Sequence, residues 1–507
     1  MSDKYVIAFD LGTSSMKAIL MNQQGKIIAS ERRPLFPNFP QEGWAESDPV
    51  AWWDTACAIS KALLQKSGVD PGSICGVSFD APDAGLIPMS KEKGNLYPSI
   101  IWLDFRADAI AEEMNDQIAE ATGDPEYRPF SGKDGIPKIL WLKSHRPDLW
   151  DAMDCFIGDT GYMVYRATGE LVCSCQCALC IALDIETRYW DLELLGNFGI
   201  EEEKLPKIMQ AVDIAGVLTE TAAAELGLPP GLPVTAGFSD CTAIELGGGC
   251  CEPGDATLYI GTSMLFGATT DGNLPNDATG YTFCSSNPEH NMYLMTNDTS
   301  GGCIDWVVDK LFHPKDCGLE MEDCYKLVDD MLDHTEPGAN HLFFSTWFSG
   351  ERQPICDDYV RAGFWNMNLD HGRGHMVRAV YEGIAYEIRW ALEKFEETHG
   401  LRYEKLRVSG GGAKSDRLMQ IVADITGITV DVIEDAAFAV AKGTAFLGFI
   451  AAGILTYEDV RSLVHVKKSF APRAEYKELY DNGSYFYQKY YETTKDFFRE
   501  LNTKSNR

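Results

Sequence analysis

The chain has 507 residues, 45% hydrophobic and 24% charged, with 44 Lys and Arg against 76 Asp and Glu and a formal net charge of −32. Single hydrophobic cores stop growing at about 250–300 residues, so this length predicts two or three domains, and 11% aromatic residues are ample to fill them. So acidic a surface repels nucleic-acid backbones and anionic lipids, and no run of about 18 apolar residues offers a membrane span. A nucleotide site here would depend on local backbone donors and a divalent cation. The charged start, Met1 to Val6, has no secretory h-region, and 15 Cys in a chain of this size predict reduced thiols and a cytoplasmic location.

In chain order, Tyr5 to Phe9 reads as a strand, Gly12 to Ser15 as a turn and Ala18 to Met21 as a returning strand. The turn lies in Asp10-Leu11-Gly12-Thr13-Ser14-Ser15-Met16-Lys17. Its backbone N–H groups and hydroxyls suit phosphate oxygens, and its carboxylate suits Mg²⁺ through water; an ordinary polar hairpin turn reads equally well. It is neither a Walker A loop nor a GxGxxG fingerprint. Trp52 to Gln65 has helical spacing, with Trp52, Ala56, Ile59 and Leu63 on one stripe, and Ile74 to Phe79 reads as a buried strand.

Cys173, Cys175, Cys177 and Cys180 form the densest thiol group. On an extended strand the first three share a face, but paired short spacings on separate loops are missing, so metal-free thiols are expected. Gly237-Phe238-Ser239-Asp240 follows the strand Pro233 to Ala236. Asp240 is placed to accept a substrate proton, or to cap a helix beginning near Thr242. Glycines 247–249 with Pro253 and Gly254 mark a domain break near 245–256.

The second half opens as the first does: Ala256 to Ile260 a strand, Gly261-Thr262-Ser263 a turn, Met264 to Ala268 a strand. The repetition predicts a duplicated α/β unit. Met376 to Thr398, Asp416 to Thr426 and Ala436 to Ala452 read as helices. Between the first two, Leu406 to Ser409 runs as a strand into Gly410-Gly411-Gly412-Ala413-Lys414-Ser415-Asp416. Consecutive glycines let a flat ring lie on the backbone beside a helix N-terminus; tight strand–helix packing is the other use of such a loop. Residues 466–507 read as a polar, aromatic-studded tail docked on the core, ending in a helix from about Tyr485 to Leu501.

These motifs, in this order over nearly the whole chain, resemble the FGGY family of carbohydrate kinases within the actin-like ATPase superfamily. Three segments add to the resemblance: Ser300-Gly301-Gly302-Cys303-Ile304-Asp305-Trp306, Ser349-Gly350-Glu351-Arg352-Gln353-Pro354, and Arg378 to Ala385. The resemblance implies an α/β fold of two duplicated actin-like, ribonuclease H-like domains with a deep interdomain cleft. The divisions expected are 1–248 for the sugar and first phosphate motif, 249–465 for ATP binding, and 466–507 for the tail.

It further implies that Asp240 is the base and that Asp10 and Asp240 face Mg²⁺. Gly12, Thr13, Ser14, Ser15, Lys17, Gly261, Thr262, Ser263, Gly301, Asp305, Gly410, Gly411, Gly412 and Ser415 would bind ATP. Asp80, Pro82, Asp83, Trp102, Asp104, Arg106, Asp240 and Cys241 would line the sugar side. The similarity leans to xylulokinases but departs from them: Ala81-Pro82 stands where their Met-His pair is expected, and Cys241 where relatives often carry Asn or Gln.

The expected activity is phosphorylation of a terminal hydroxyl of a ketopentose or related polyol. The alternatives are another family substrate such as ribulose, erythritol or glycerol, a catalytically silent sugar-responsive regulator, or a chaperone-type ATPase. Sugar and ATP are the expected partners, with a homodimer as a further possibility.

Overall fold

The computed structural model describes residues 3–123, 130–277, 279–312, 318 and 320–503. They divide into two compact units. The first comprises Met1–Cys251, Phe283–Glu289 and Val440–Leu463, the second Glu252–Thr282, His290–Ala439 and Val464–Arg507.

The first unit is built on β1 (Tyr5–Leu11), β2 (Ser15–Asn22), β3 (Ile27–Pro34), β4 (Ile74–Ala81), β5 (Ile214–Val217) and β6 (Pro233–Thr235). The sheet runs β3-β2-β1-β4-β6-β5. Its first three strands are antiparallel, β4 and β6 are parallel additions, and β5 returns antiparallel. Val6 to Leu11 are buried without alternation, as expected of a strand covered on both faces. Helix α1 (Pro49–Ser67) starts on an Asp48 cap, whose carboxylate accepts the Val50 N–H at 2.9 Å. It buries the stripe Trp52, Ala56, Ile59 and Leu63.

The second unit repeats that plan. Its strands are β7 (Ala256–Ile260), β8 (Met264–Thr270), β9 (Asn291–Asn297), β10 (Lys405–Ser409), β11 (Thr429–Ile433) and β12 (Val466–Phe470). In the order β9-β8-β7-β10-β11-β12 they pair antiparallel, antiparallel, parallel, parallel and antiparallel, the sequence of senses found in the first unit. The duplication suggested by two short turns is therefore one of whole sheets.

Helix α2 (Arg373–His399) carries the core of the second unit, and the final helix, Lys477–Asn502, docks on it. Buried tyrosines anchor that helix: Tyr480 Oη donates to Glu382 Oε1 at 3.1 Å and Tyr487 Oη to Glu387 Oε2 at 2.7 Å. Helix α3 (Asp416–Thr426) has the bounds its periodicity and Ser415 cap predict.

Two elements differ from the linear reading. Residues 440–463 follow the second unit's strands but pack with the first. In helix α4 (Ala439–Ala451), Ala441, Ala445, Phe446, Leu447 and Phe449 are all fully buried, and Gly448 sits against Val6 and Ser78. A helix apolar on so many sides must be enclosed. The cysteine segment is not one strand. A strand covers Val172–Ser174, and a helix, Cys175–Ala182, begins where Ser174 Oγ accepts the Cys177 N–H. The serine cap overrides the period-two pattern. Cys173 and Cys175 are buried, and the Cys180 side chain lies outside the described residues.

Candidate active site

In the first unit, Asp10 near the end of β1 stands beside Asp80 near the end of β4, and Phe238 pairs with Asp80 from the other side. Three neighbouring strand ends thus deliver Asp10, Asp80 and the Ser239-Asp240 junction to one place, where open α/β sheets bind ligands. Gly237, at φ +89°, permits the junction: a Cβ there would meet Thr160 Cγ2 at 2.5 Å and the Phe79 carbonyl at 2.8 Å.

The cap alternative for Asp240 is resolved by its neighbour. The helix spans Asp240–Gly247, two residues earlier than expected, and its cap is Ser239, whose Oγ accepts the Cys241 N–H at 3.2 Å. Asp240 is the first residue of that helix rather than its cap, and its carboxylate interacts with Cys241. Burial chiefly, and the Asp10 charge, push Asp240 up to about 6, against the lowering effect of Cys241 and Lys17.

Ser239 Oγ also donates to Asp83 Oδ2. Ligand atoms of Asp83, Asp240 and Cys241 all lie within 4.8 Å of one another. Burial first and Asp240 second hold Asp83 well above the usual carboxylate range. Asp80 is fully buried and accepts Thr444 Oγ1 at 2.5 Å. Burial and then Asp10 raise it, with Asp240 adding to the effect. Asp80 Oδ1 and Asp83 Oδ1 have no hydrogen-bond partner among the described residues. Asp80 lies one residue before the end of β4, and Asp83 faces Asp240.

Lys17 bridges to Asp10 at 3.1 Å, across the strand pair that the Gly12 turn closes through a Gly12 N–H to Ser15 carbonyl bond of 3.1 Å. Ser14 is exposed, while Ser15 is buried and accepts Arg32 Nε at 3.0 Å. Trp102 Nε1 donates to Thr13 Oγ1 at 2.8 Å, joining the expected sugar side to the phosphate turn. Gly12, Thr13, Pro82 and Trp102 line one cavity, which Asp159 and Trp52 also enter.

Asp104 and Arg106 have a different setting. Both Asp104 oxygens are taken, by Arg106 and by the Ala45 N–H, and the guanidinium lies 3.7 Å over Trp44. The pair braces the wall behind Trp102. Asp159, Ser239 and Thr444 were missed in the sequence. Asp159 follows a strand, as Asp240 does, which was a usable signal. Thr444 gave none.

The second unit gathers the other motifs. Thr262 and Ser263 are exposed on a turn closed by the Gly261 N–H to Ser263 carbonyl bond of 2.9 Å. The Ser300 and Gly302 N–H groups donate to the Thr262 carbonyl at 2.8 and 3.0 Å, which brings Gly301 to this turn. Gly410, at φ +93°, packs where a Cβ would meet the Ile260 carbonyl at 2.5 Å, and Gly411 faces open space. The glycine loop and the Gly261 turn therefore meet at Ile260. Ser415 caps α3 and donates to Asp329, and Asp305 accepts Tyr325 Oη at 2.5 Å, so both have structural partners.

Residues 5–247 match the FGGY family of carbohydrate kinases, N-terminal domain, and residues 256–452 match the C-terminal domain of the same family. The chain is 28% identical to a xylulose kinase of Bacillus subtilis over 511 aligned positions, covering 97% of this chain and 98% of that one. Its fold is similar to a gluconate kinase from Lactobacillus acidophilus, with TM-score 0.87, 25% identity and coverage of 99% and 100%. A xylulose kinase from the same organism has TM-score 0.87 at 24% identity, with coverage of 98% and 100%, and shares the fold. Strand ends bearing acidic residues in one unit, hydroxyl and glycine turns in the other, and both domain matches in register lead to one conclusion: the chain belongs to the FGGY family of carbohydrate kinases.

Proposed function

We propose that the protein phosphorylates a terminal hydroxyl of a neutral ketopentose of xylulose type, or a related polyol, at the expense of ATP. The observation that carries this reading is Asp240, the first residue of a helix capped by Ser239, set beside Asp83 and raised to about 6. A base of that strength is deprotonated at neutral pH yet basic enough to accept an alcohol proton as the bond to phosphorus forms. Phosphoryl transfer asks little more of side chains than this, positioning and charge neutralisation.

Asp83 is the acceptor contact in this reading, held by Ser239 and retaining a free oxygen beside Asp240. A carboxyl group so placed suits a substrate presenting hydroxyls, because it accepts through its free oxygen and, when protonated, also donates. Trp102 would pack on the sugar, with Asp104 and Arg106 fixing its wall. In the second unit Thr262, Ser263 and Gly301 would take phosphates and Gly410 to Gly412 the adenine. Thr13, Ser14 and Lys17 are the phosphate-binding groups of the first unit in this reading.

The residues fit Mg²⁺: a hard cation takes oxygen ligands, and Asp80 Oδ1 is an orphaned oxygen next to Asp10. Asp10 and Asp240 would hold the ion, with Asp80 behind them. When bound, it neutralises charge on the phosphoryl oxygens. A coupled ADP-release assay across ketoses, polyols and aldonates tests the proposal. Turnover with a ketopentose supports it, and sugar-independent ATP hydrolysis alone would reject it in favour of an ATPase.

A further inference from the structure

Lys138, in the helix Gly135–His145, is 0% exposed, a rare setting for an ammonium group. Its Nζ donates to two backbone carbonyls, that of Ala84 at 2.8 Å and that of Ile101 at 2.9 Å. The two carbonyls belong to separate segments of the first unit. Ala84 follows Asp83, and Ile101 precedes Trp102. Pro82, Ile101 and Trp102 line the same cavity. One buried side chain thus ties together both segments that carry the acceptor contacts named above.

The Ala84 segment needs such a tie. Ala84 stands at φ +61°, in the left-handed region that a side chain disfavours, and at Gly85 a Cβ would run into the Asp159 carboxylate. A strained loop persists only where its surroundings over-determine it. Just beyond, Leu86 and Ile100 exchange backbone bonds of 3.1 and 3.0 Å, and Lys138 extends that pairing to the residues beside Asp83 and Trp102. The Ile101 carbonyl also accepts the Asp104 N–H at 3.0 Å, closing the turn that contains Trp102. Burial lowers Lys138 to about 8, against the raising effect of Asp104, Asp134 and Asp159, so at neutral pH the ammonium form prevails and has donors for both carbonyls.

We propose that Lys138 is a positioning residue for the acceptor: by bonding the Ala84 and Ile101 carbonyls it fixes Asp83 and Trp102 at the spacing the sugar requires. The inference rests on the reading of those two residues as acceptor contacts, and adds to it a determinant that touches neither substrate. Without the ammonium, Ala84 relaxes towards an ordinary φ and carries Asp83 away from Asp240.

The test compares the full chain with Lys138→Met, which keeps an unbranched stem and removes the donors. Hydrogen exchange read by mass spectrometry should quicken in peptides covering 83–88 and 99–104 and stay unchanged in the second unit. KM for xylulose should rise about tenfold or more, while KM for ATP stays within about twofold. Ala84→Gly, which removes the strain, should recover several-fold of that loss in the Lys138→Met background and change the parent by no more than about twofold. Lys138→Gln keeps a donor on a shorter stem and serves if Lys138→Met does not fold; its exchange and its xylulose KM should move the same way by less. Unchanged exchange at both segments, equal rises in the two KM values, or no recovery with Ala84→Gly would overturn the proposal. Quickened exchange in Lys138→Met together with a xylulose KM indifferent to Asp83→Ala and Trp102→Phe would instead reject the acceptor reading itself, and leave Lys138 a structural brace only.

Discussion

Thr444 Oγ1 donates to Asp80 Oδ2 at 2.5 Å across 364 positions of sequence. It is the one hydrogen bond made to an Asp80 oxygen among the described residues, and it opposes the effects of burial and of Asp10. Replacing Thr444 with Val keeps the shape and removes the donor, leaving both oxygens unmatched. The expected loss is about 1–3 kcal/mol of stability, read by urea unfolding. An unchanged midpoint would show that Asp80 draws nothing from this bond.

Asp240→Asn is expected to lower turnover by about 10²–10⁴-fold while acceptor binding, measured calorimetrically, changes far less. The base works deprotonated, so kcat/KM of the parent should fall about tenfold per pH unit below about 6. That acid limb should vanish from whatever activity the variant keeps. Near-normal turnover in Asp240→Asn would remove it from the chemistry.

Asp83→Ala is expected to raise KM for the acceptor well above its effect on KM for ATP, and to change the ranking of epimers, since one carboxylate reads one hydroxyl's direction. Asp80→Asn, behind Asp10, should act instead on the Mg²⁺ concentration needed for half-activity. An exchange of the two phenotypes would reverse the assignment.

Burial pushes Glu382 up to about 7, against bonds from Gly338, Arg378 and Tyr480. The folded state therefore keeps a proton that the unfolded chain releases above its ordinary value of 4.5. Glu382's share of stability is full below that value and is lost as pH rises towards about 7. Glu382→Gln should flatten the melting-temperature profile in that window. Tyr480→Phe should cost about 1 kcal/mol at any pH within it.

The sequence by itself determined what depends on neighbours a few residues apart. The Gly12 and Gly261 turns, the α1 stripe and the exact span of α3 follow from periodicity, caps and glycine, which act within one or two turns of chain. The order of those motifs, with their resemblance, was enough to reach the family. Tertiary structure decided the rest. Ser239 and Asp240 are both good caps, and only the packing of the junction against β4 settles which one serves. Residues 440–463 join the first unit because an apolar helix goes where it can be enclosed. Asp80 and Asp83 look alike in sequence, yet one meets Thr444 and the other Ser239. Charge and hydrogen bonding act through space, and which carboxylates come to share a site is set by the sheet that carries them.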